Sequence, residues 1–152
     1  MKMNLILWRH ADAEPGEDDL GRWLTAKGQK QAAKMAEWLK ARLPEHTRVI
    51  ASEAVRARQT AAALRPEFLC DARLNPGAAV SDYLAVADWP DAGDTVVLVG
   101  HQPTIGRVAA RLLTGIEAEW SAKKGAIWWL QYRLRDDRTQ TVLKTMLSPD
   151  QV

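Results

Sequence analysis

The chain has 152 residues, 21 Lys+Arg against 19 Asp+Glu for a net charge of +2, 47% hydrophobic and 26% charged residues. This composition predicts one folded domain over residues 1–152, rules out a disordered chain, and is too balanced in charge to imply a nucleic-acid partner. Cys70 is the sole cysteine, which excludes an intrachain disulfide and a cysteine-rich metal cage.

Met3 to Trp8 reads as a buried strand that ends abruptly at Arg9-His10. Those two polar residues cut the apolar run short of a signal-peptide core. No stretch approaches the roughly eighteen apolar residues that span a bilayer, so no membrane contact and a cytoplasmic location are expected. An acidic loop follows, with Asp12, Glu14, Glu17, Asp18 and Asp19 around Pro15, Gly16 and Gly21. Thr25 is placed to cap a helix over 26–43, whose apolar stripe is Ala32, Met35, Ala36, Leu39 and Leu43 and which Pro44 should end. Lys27, Lys30, Lys34 and Lys40 read as its solvated face.

Thr47 to Ala51 forms the next predicted strand, and Ser52 the cap of a helix that runs toward Pro66 with Glu53 in its first turn. Residues 67–78 read as irregular with a brief strand, and Val80 to Ala87 as a short helix. Thr95 to Val99 is an uninterrupted aliphatic run, the pattern of a strand covered on both faces. Pro103 then opens a helix carrying Ile105, Val108, Ala109, Leu112 and Leu113, which Gly115 ends. Ala126 to Arg133 and Thr139 to Met146 predict an antiparallel hairpin through Arg135-Asp136-Asp137-Arg138. Strand–helix units followed by a hairpin imply an α/β, three-layer αβα sandwich with a mostly parallel mixed sheet.

In such folds function gathers beyond the carboxyl ends of the parallel strands. Three predicted strands end on polar residues suited to an anion: Arg9-His10, Ser52 followed by Arg56, and Gly100-His101. Arginine offers a permanently charged donor fork for phosphate oxygens, and neutral imidazole offers a nitrogen lone pair to phosphorus. Together they point to phosphoryl transfer through a covalent phosphohistidine. Each residue also has a structural alternative, since Arg9 can pair with the acidic loop and Arg56 can pack on the first helix. His46 reads as a surface residue and Cys70 as a small buried hydrophobe. One of the adjacent Trp128 and Trp129 is expected in the core or an interface. His10, His46 and His101 have no short ligand spacing, and Arg9 beside His10 would repel a cation, so no metal is expected. A strand–GxxxxGK[ST]–helix loop is missing, and no cofactor is expected.

Four segments carry a family resemblance: Leu7-Trp8-Arg9-His10-Ala11, Arg22-Trp23-Leu24-Thr25-Ala26-Lys27-Gly28-Gln29-Lys30-Gln31-Ala32, Ser52-Glu53-Ala54-Val55-Arg56-Ala57-Arg58-Gln59-Thr60, and Val99-Gly100-His101-Gln102-Pro103. In that order they resemble the histidine phosphatase superfamily, which includes phosphoglycerate mutases, and most nearly its short SixA-type phosphohistidine phosphatases. The resemblance implies that His10 is the phosphorylated nucleophile, that Arg9 and Arg56 clamp phosphate, that His101 stabilises the transferring group, and that Arg22 is a further phosphate-pocket residue. Ser52 is expected to shape a turn, and Arg58 to point away.

Two departures matter. Ala11 stands where many members have glycine, and Leu74-Asn75-Pro76 offers Pro76 where larger members carry an acidic proton donor. Alkoxide leaving groups need that proton, whereas a departing imidazole depends on it less. The resemblance therefore implies a phosphohistidine-containing phosphocarrier or relay protein as partner. A small-molecule phosphomonoesterase and a noncatalytic phosphoprotein-binding module are the alternatives.

Overall fold

The computed structural model describes residues 2–152. The elements in chain order are β1 (Lys2–Arg9), α1 (Ala26–Lys40), β2 (Thr47–Ala51), α2 (Val55–Leu64), β3 (Leu69–Cys70), α3 (Val80–Ala87), β4 (Thr95–Gly100), α4 (Thr104–Thr114), β5 (Ile127–Arg135) and β6 (Arg138–Leu147). They form one six-stranded sheet in the order β3-β2-β4-β1-β5-β6. The first four of these run parallel, and β5 and β6 add an antiparallel hairpin at one edge. The α/β sandwich and its mostly parallel mixed sheet are as expected from the sequence.

Alternation along the central strands divides the core into two layers, because successive side chains in a strand point to opposite faces. Met3, Leu5 and Leu7 of β1 join Val96 and Leu98 of β4 under α3 and α4. Ile6 and Trp8 join Val97 and Val99 on the other face, under α1 and α2. Trp128 packs in the first layer and Trp129 in the second, so both rings of the pair are buried. Each fully buried Leu or Val contributes roughly 1.5–3 kcal/mol, so the sheet centre is a stiff platform for the loops at its end.

Local departures from the sequence reading have local causes. The first helix ends at Lys40 rather than at Leu43, because the amides of Arg42 and Leu43 both donate to the Leu39 carbonyl and tighten the chain into a turn before Pro44. Thr25 does cap it, its hydroxyl accepting from the Gly28 amide at 2.9 Å. Gly28 is required there, since a Cβ would collide with the Asp12 carbonyl. The second helix begins at Val55, with Ala54 rather than Ser52 in the cap position and Glu53 outside the first turn. Cys70 is exposed, not buried, because β3 is a two-residue strand at the sheet edge. The hairpin strands are longer than expected, and only Asp136-Asp137 turns, both with positive φ (52° and 61°). His46 is exposed, as expected.

Candidate active site

The three parallel strands β2, β4 and β1 are neighbours, so their exits lie side by side. Register places Arg9 opposite Gly100, and Ala51 opposite Val99. The chain beyond each strand is tied to the next: the His10 amide donates to the Gly100 carbonyl at 3.1 Å, and the Ser52 amide to the Val99 carbonyl at 3.0 Å. His10, Ser52 and His101 therefore share one end of the sheet. The His10 and His101 ring centroids are 5.1 Å apart.

His10 is held from both sides. The Ala11 amide donates to Thr60 Oγ1 at 3.1 Å, and His10 Nδ1 lies 2.7 Å from the Ala11 carbonyl. A carbonyl only accepts, so Nδ1 carries the proton and Nε2 keeps its lone pair. Arg56 Nε lies 3.4 Å from that Nε2. Burial, only partly offset by the Ala11 hydrogen bond, and the charges of Arg56, Arg9 and Arg22 push the His10 pKa down to about 4. The imidazole is neutral at pH 7.

His101 is fixed by two side chains that sequence patterning left without a catalytic context. Buried Tyr83 accepts from the His101 amide at 3.0 Å and donates to the Leu74 carbonyl at 3.3 Å. Gly100 makes room for it, since a Cβ would strike the Tyr83 hydroxyl. Ser52, fully buried, lies 2.7 Å from His101 Nε2 and accepts from the Ala54 amide at 3.2 Å. Ser52 thus shapes the turn, as expected, but also faces a histidine. Its hydroxyl proton finds no other acceptor among the described residues, so it goes to Nε2. That assigns the neutral His101 proton to Nδ1, which is buried without a partner and is thereby a free donor. Burial first, then His10 and Arg56, push the His101 pKa down to about 3. Ser52→Ala should let the His101 tautomers mix, visible in the ring ¹⁵N shifts, and lower kcat by about tenfold with little change in KM.

The arginines are distributed around this pair. Arg56 is 3% exposed. Its Nη1 donates to the Asp19 carbonyl at 2.5 Å and its Nη2 to Asp19 Oδ2 at 3.1 Å. Arg22 Nη1 donates to Asp19 Oδ1 at 3.1 Å, so Arg22 meets Arg56 through a shared carboxylate. Burial pushes the Asp19 carboxyl up, but hydrogen bonds from Arg22 and Arg56 outweigh it and hold the group below its ordinary value. Asp19 is thus ionised at neutral pH. Arg9 Nη1 donates to the Ala122 carbonyl at 2.7 Å, and its Nε is buried without a partner. Arg58 is turned away, with Nε donating to the Glu53 carbonyl at 3.1 Å. Of the five sequence-selected residues, His10, His101 and Arg56 lie together and Arg22 joins them through Asp19, whereas Arg9 adjoins His10 in the chain and directs its guanidinium to the Ala122 carbonyl.

Other candidates carry structural duties. Asp82 accepts from the Ala79 amide at 3.0 Å, and Asp12 is engaged by Thr25 at 2.7 Å and Lys124 at 2.8 Å. A cleft of about 820 Å³ lies elsewhere, beside Thr47, Arg48, Arg65 and Asp94 near the amino ends of β2 and β4. Among the described residues, no group of three or more His, Cys, Asp or Glu is placed to hold a metal ion. Nor is any helix there long and apolar enough to cross a membrane.

The arrangement meets its family at this point. Residues 5–79 match the model of the histidine phosphatase superfamily (branch 1). The chain is 31% identical over 128 residues to a phosphohistidine phosphatase SixA homolog of Haemophilus influenzae, covering 72% of this chain and 77% of that one. The chain belongs to the histidine phosphatase superfamily. The structure of the protein histidine phosphatase SixA complexed with tungstate superposes with a TM-score of 0.80 at 27% identity, over 97% of this chain and 98% of that one. Phosphoserine phosphatase of Entamoeba histolytica, bound to phosphoserine, has the same fold at a TM-score of 0.70 and 16% identity, over 99% of each chain. The fold is thus shared with a protein that binds a phosphoester, and it does not by itself select the substrate. Membership makes this chain an enzyme of the superfamily, with catalysis through a covalent phosphohistidine.

Proposed function

We propose that the domain spanning residues 1–152 hydrolyses phosphohistidine on a partner protein, a phosphocarrier or relay domain, with His10 as the nucleophile. The Nε2 lone pair attacks phosphorus, and the substrate P–N bond breaks, its electron pair passing to the departing imidazole. Arg56 and Arg9 hold the phosphoryl oxygens, Arg22 supports Arg56 through Asp19, and the His101 Nδ1–H donates to an oxygen. Water then attacks phosphorus, the P–Nε2 bond breaks, and inorganic phosphate leaves with His10 restored. Positive donors fixed around the transferring group lower the barrier, because its charge lies on the equatorial oxygens.

One observation carries the choice of substrate. Asp19, the carboxylate in contact with Arg56, is held ionised between two arginines, and the family resemblance puts Pro76 at the position of the acid that protonates an alkoxide in larger members. A leaving imidazole can bring its own proton on the second ring nitrogen. The test compares kcat/KM for a histidine-phosphorylated carrier protein with that for a panel of phosphomonoesters. The expected advantage of the phosphoramidate is about 100-fold, the scale of one missing general acid. Equal or better turnover of the esters would reject this specificity in favour of a phosphomonoesterase.

A further inference from the structure

Beside the histidine pair lies a second, differently built surface. Arg9, Lys27, Lys123 and Lys124, together with Asp150, line a recess of about 440 Å³. Asp12 answers Lys124 at 2.8 Å, and Asp150 answers Lys123 at 3.4 Å. Arg9 donates to a neutral carbonyl, and neither it nor Lys27 has a carboxylate partner among the described residues. Like charges gathered this closely repel one another, so the cluster carries a standing attraction for anions.

Two features say which anion. Arg9 lines the recess and directly precedes His10, and the amide of Gly125, the residue after Lys124, donates to the His10 carbonyl at 3.0 Å, so the recess adjoins the reacting centre. A separate cleft is acidic: Arg22 borders it together with Glu14, Glu17 and Asp18. A docking partner thus meets a basic recess and, separately, an acidic cleft. The Lys123 and Lys124 side chains are also 72% and 50% exposed. Each exposed contact is weak alone, which suits several carboxylates spread over a protein surface better than one small enclosed anion.

We infer that the Arg9–Lys27–Lys123–Lys124 recess docks carboxylate side chains flanking the phosphohistidine of the partner protein, and so orients the partner on the enzyme. This rests on the phosphohistidine reading above. The experiment compares wild type with the double variant Lys27→Glu, Lys123→Glu on two substrates, a histidine-phosphorylated carrier protein with acidic residues beside its histidine, and N-phosphorylimidazole. The variant should raise KM for the carrier about tenfold with kcat within twofold, and leave kcat/KM for N-phosphorylimidazole unchanged. Raising salt should increase the wild-type KM for the carrier and narrow the gap between the proteins. An unchanged carrier KM, or equal losses on both substrates, would overturn the inference while leaving the phosphohistidine reading intact. A wild-type protein inert on both substrates would instead overturn that reading, and the docking role with it. Thermal midpoints of the two proteins serve as the fold control.

Discussion

His10→Ala is expected to lower turnover by about 10⁴-fold or more and to abolish the phosphoenzyme, because no second nitrogen lone pair is presented in the same place. Brief incubation of the wild type with labelled substrate should leave phosphate on the protein that is lost in acid and kept in alkali, with none on the variant. Label retained in the variant, or turnover within tenfold of wild type, would refute the assignment of His10. Stable phosphate binding without any phosphoenzyme in the wild type would contradict hydrolysis and favour a binding module. Acid provides a second readout. With its pKa near 4 in the folded protein against an ordinary value near 6.5, His10 stays neutral where the unfolded chain takes up a proton. The His10 contribution to stability should therefore fall as pH drops from 6.5 toward 4 and level off below, while that of His101 continues to fall toward pH 3. The variant should show a shallower decline in denaturant midpoint across that window. Phosphoenzyme formation should itself fade as pH drops through about 4, as the lone pair is protonated.

Arg56→Ala should cost about 10³-fold in kcat, the scale of removing a positive clamp from a transferring phosphoryl group. The guanidinium is nearly buried, and its two terminal nitrogens are already committed to Asp19. Its Nε, 3.4 Å from His10 Nε2, is the donor turned toward the chemistry. Asp19 thus braces the far edge of the fork. Arg56→Lys should recover less than tenfold, since an ammonium is a point charge that cannot bond Asp19 and the phosphoryl oxygens through separate edges. The alanine variant should also move the acid limb of phosphoenzyme formation to higher pH, because a cation that held the His10 pKa down is gone. Activity close to wild type, or an unmoved limb, would show that Arg56 only fills space.

The architecture was legible where burial dictates pattern. The aliphatic run of β4 and the change from Leu7-Trp8 to Arg9-His10 are one-dimensional signatures of central strands and their exits. Parallel order then brings those exits together, so the proximity of His10, Arg56 and His101 is legible in the sequence. Contacts made across loops left no such trace. Asp19 is one of five acids in its loop, and only the fold selects it as the brace on Arg56 and Arg22. Ser52 reads as a turn residue because its pairing with His101 joins positions 49 residues apart. Tyr83 falls inside the predicted Val80–Ala87 helix, where nothing in the spacing ties it to His101. Cys70 departs from its expected burial because hydrophobic character says nothing about whether a strand lies inside a sheet or at its border. The end of α1 was overrun because Leu43 continues the apolar spacing while the backbone has already turned.

The hairpin gives the molecule a second pole. Arg133 pairs with Lys2 at the beginning of β1, whereas Ile127 pairs with Trp8 near its end. The Asp136-Asp137 tip therefore projects from the extremity opposite the histidines, with its strands already closed by backbone pairing. A tether, reporter or immobilising linkage grafted into that tip would hang behind the catalyst, leaving its working face open to an approaching macromolecule.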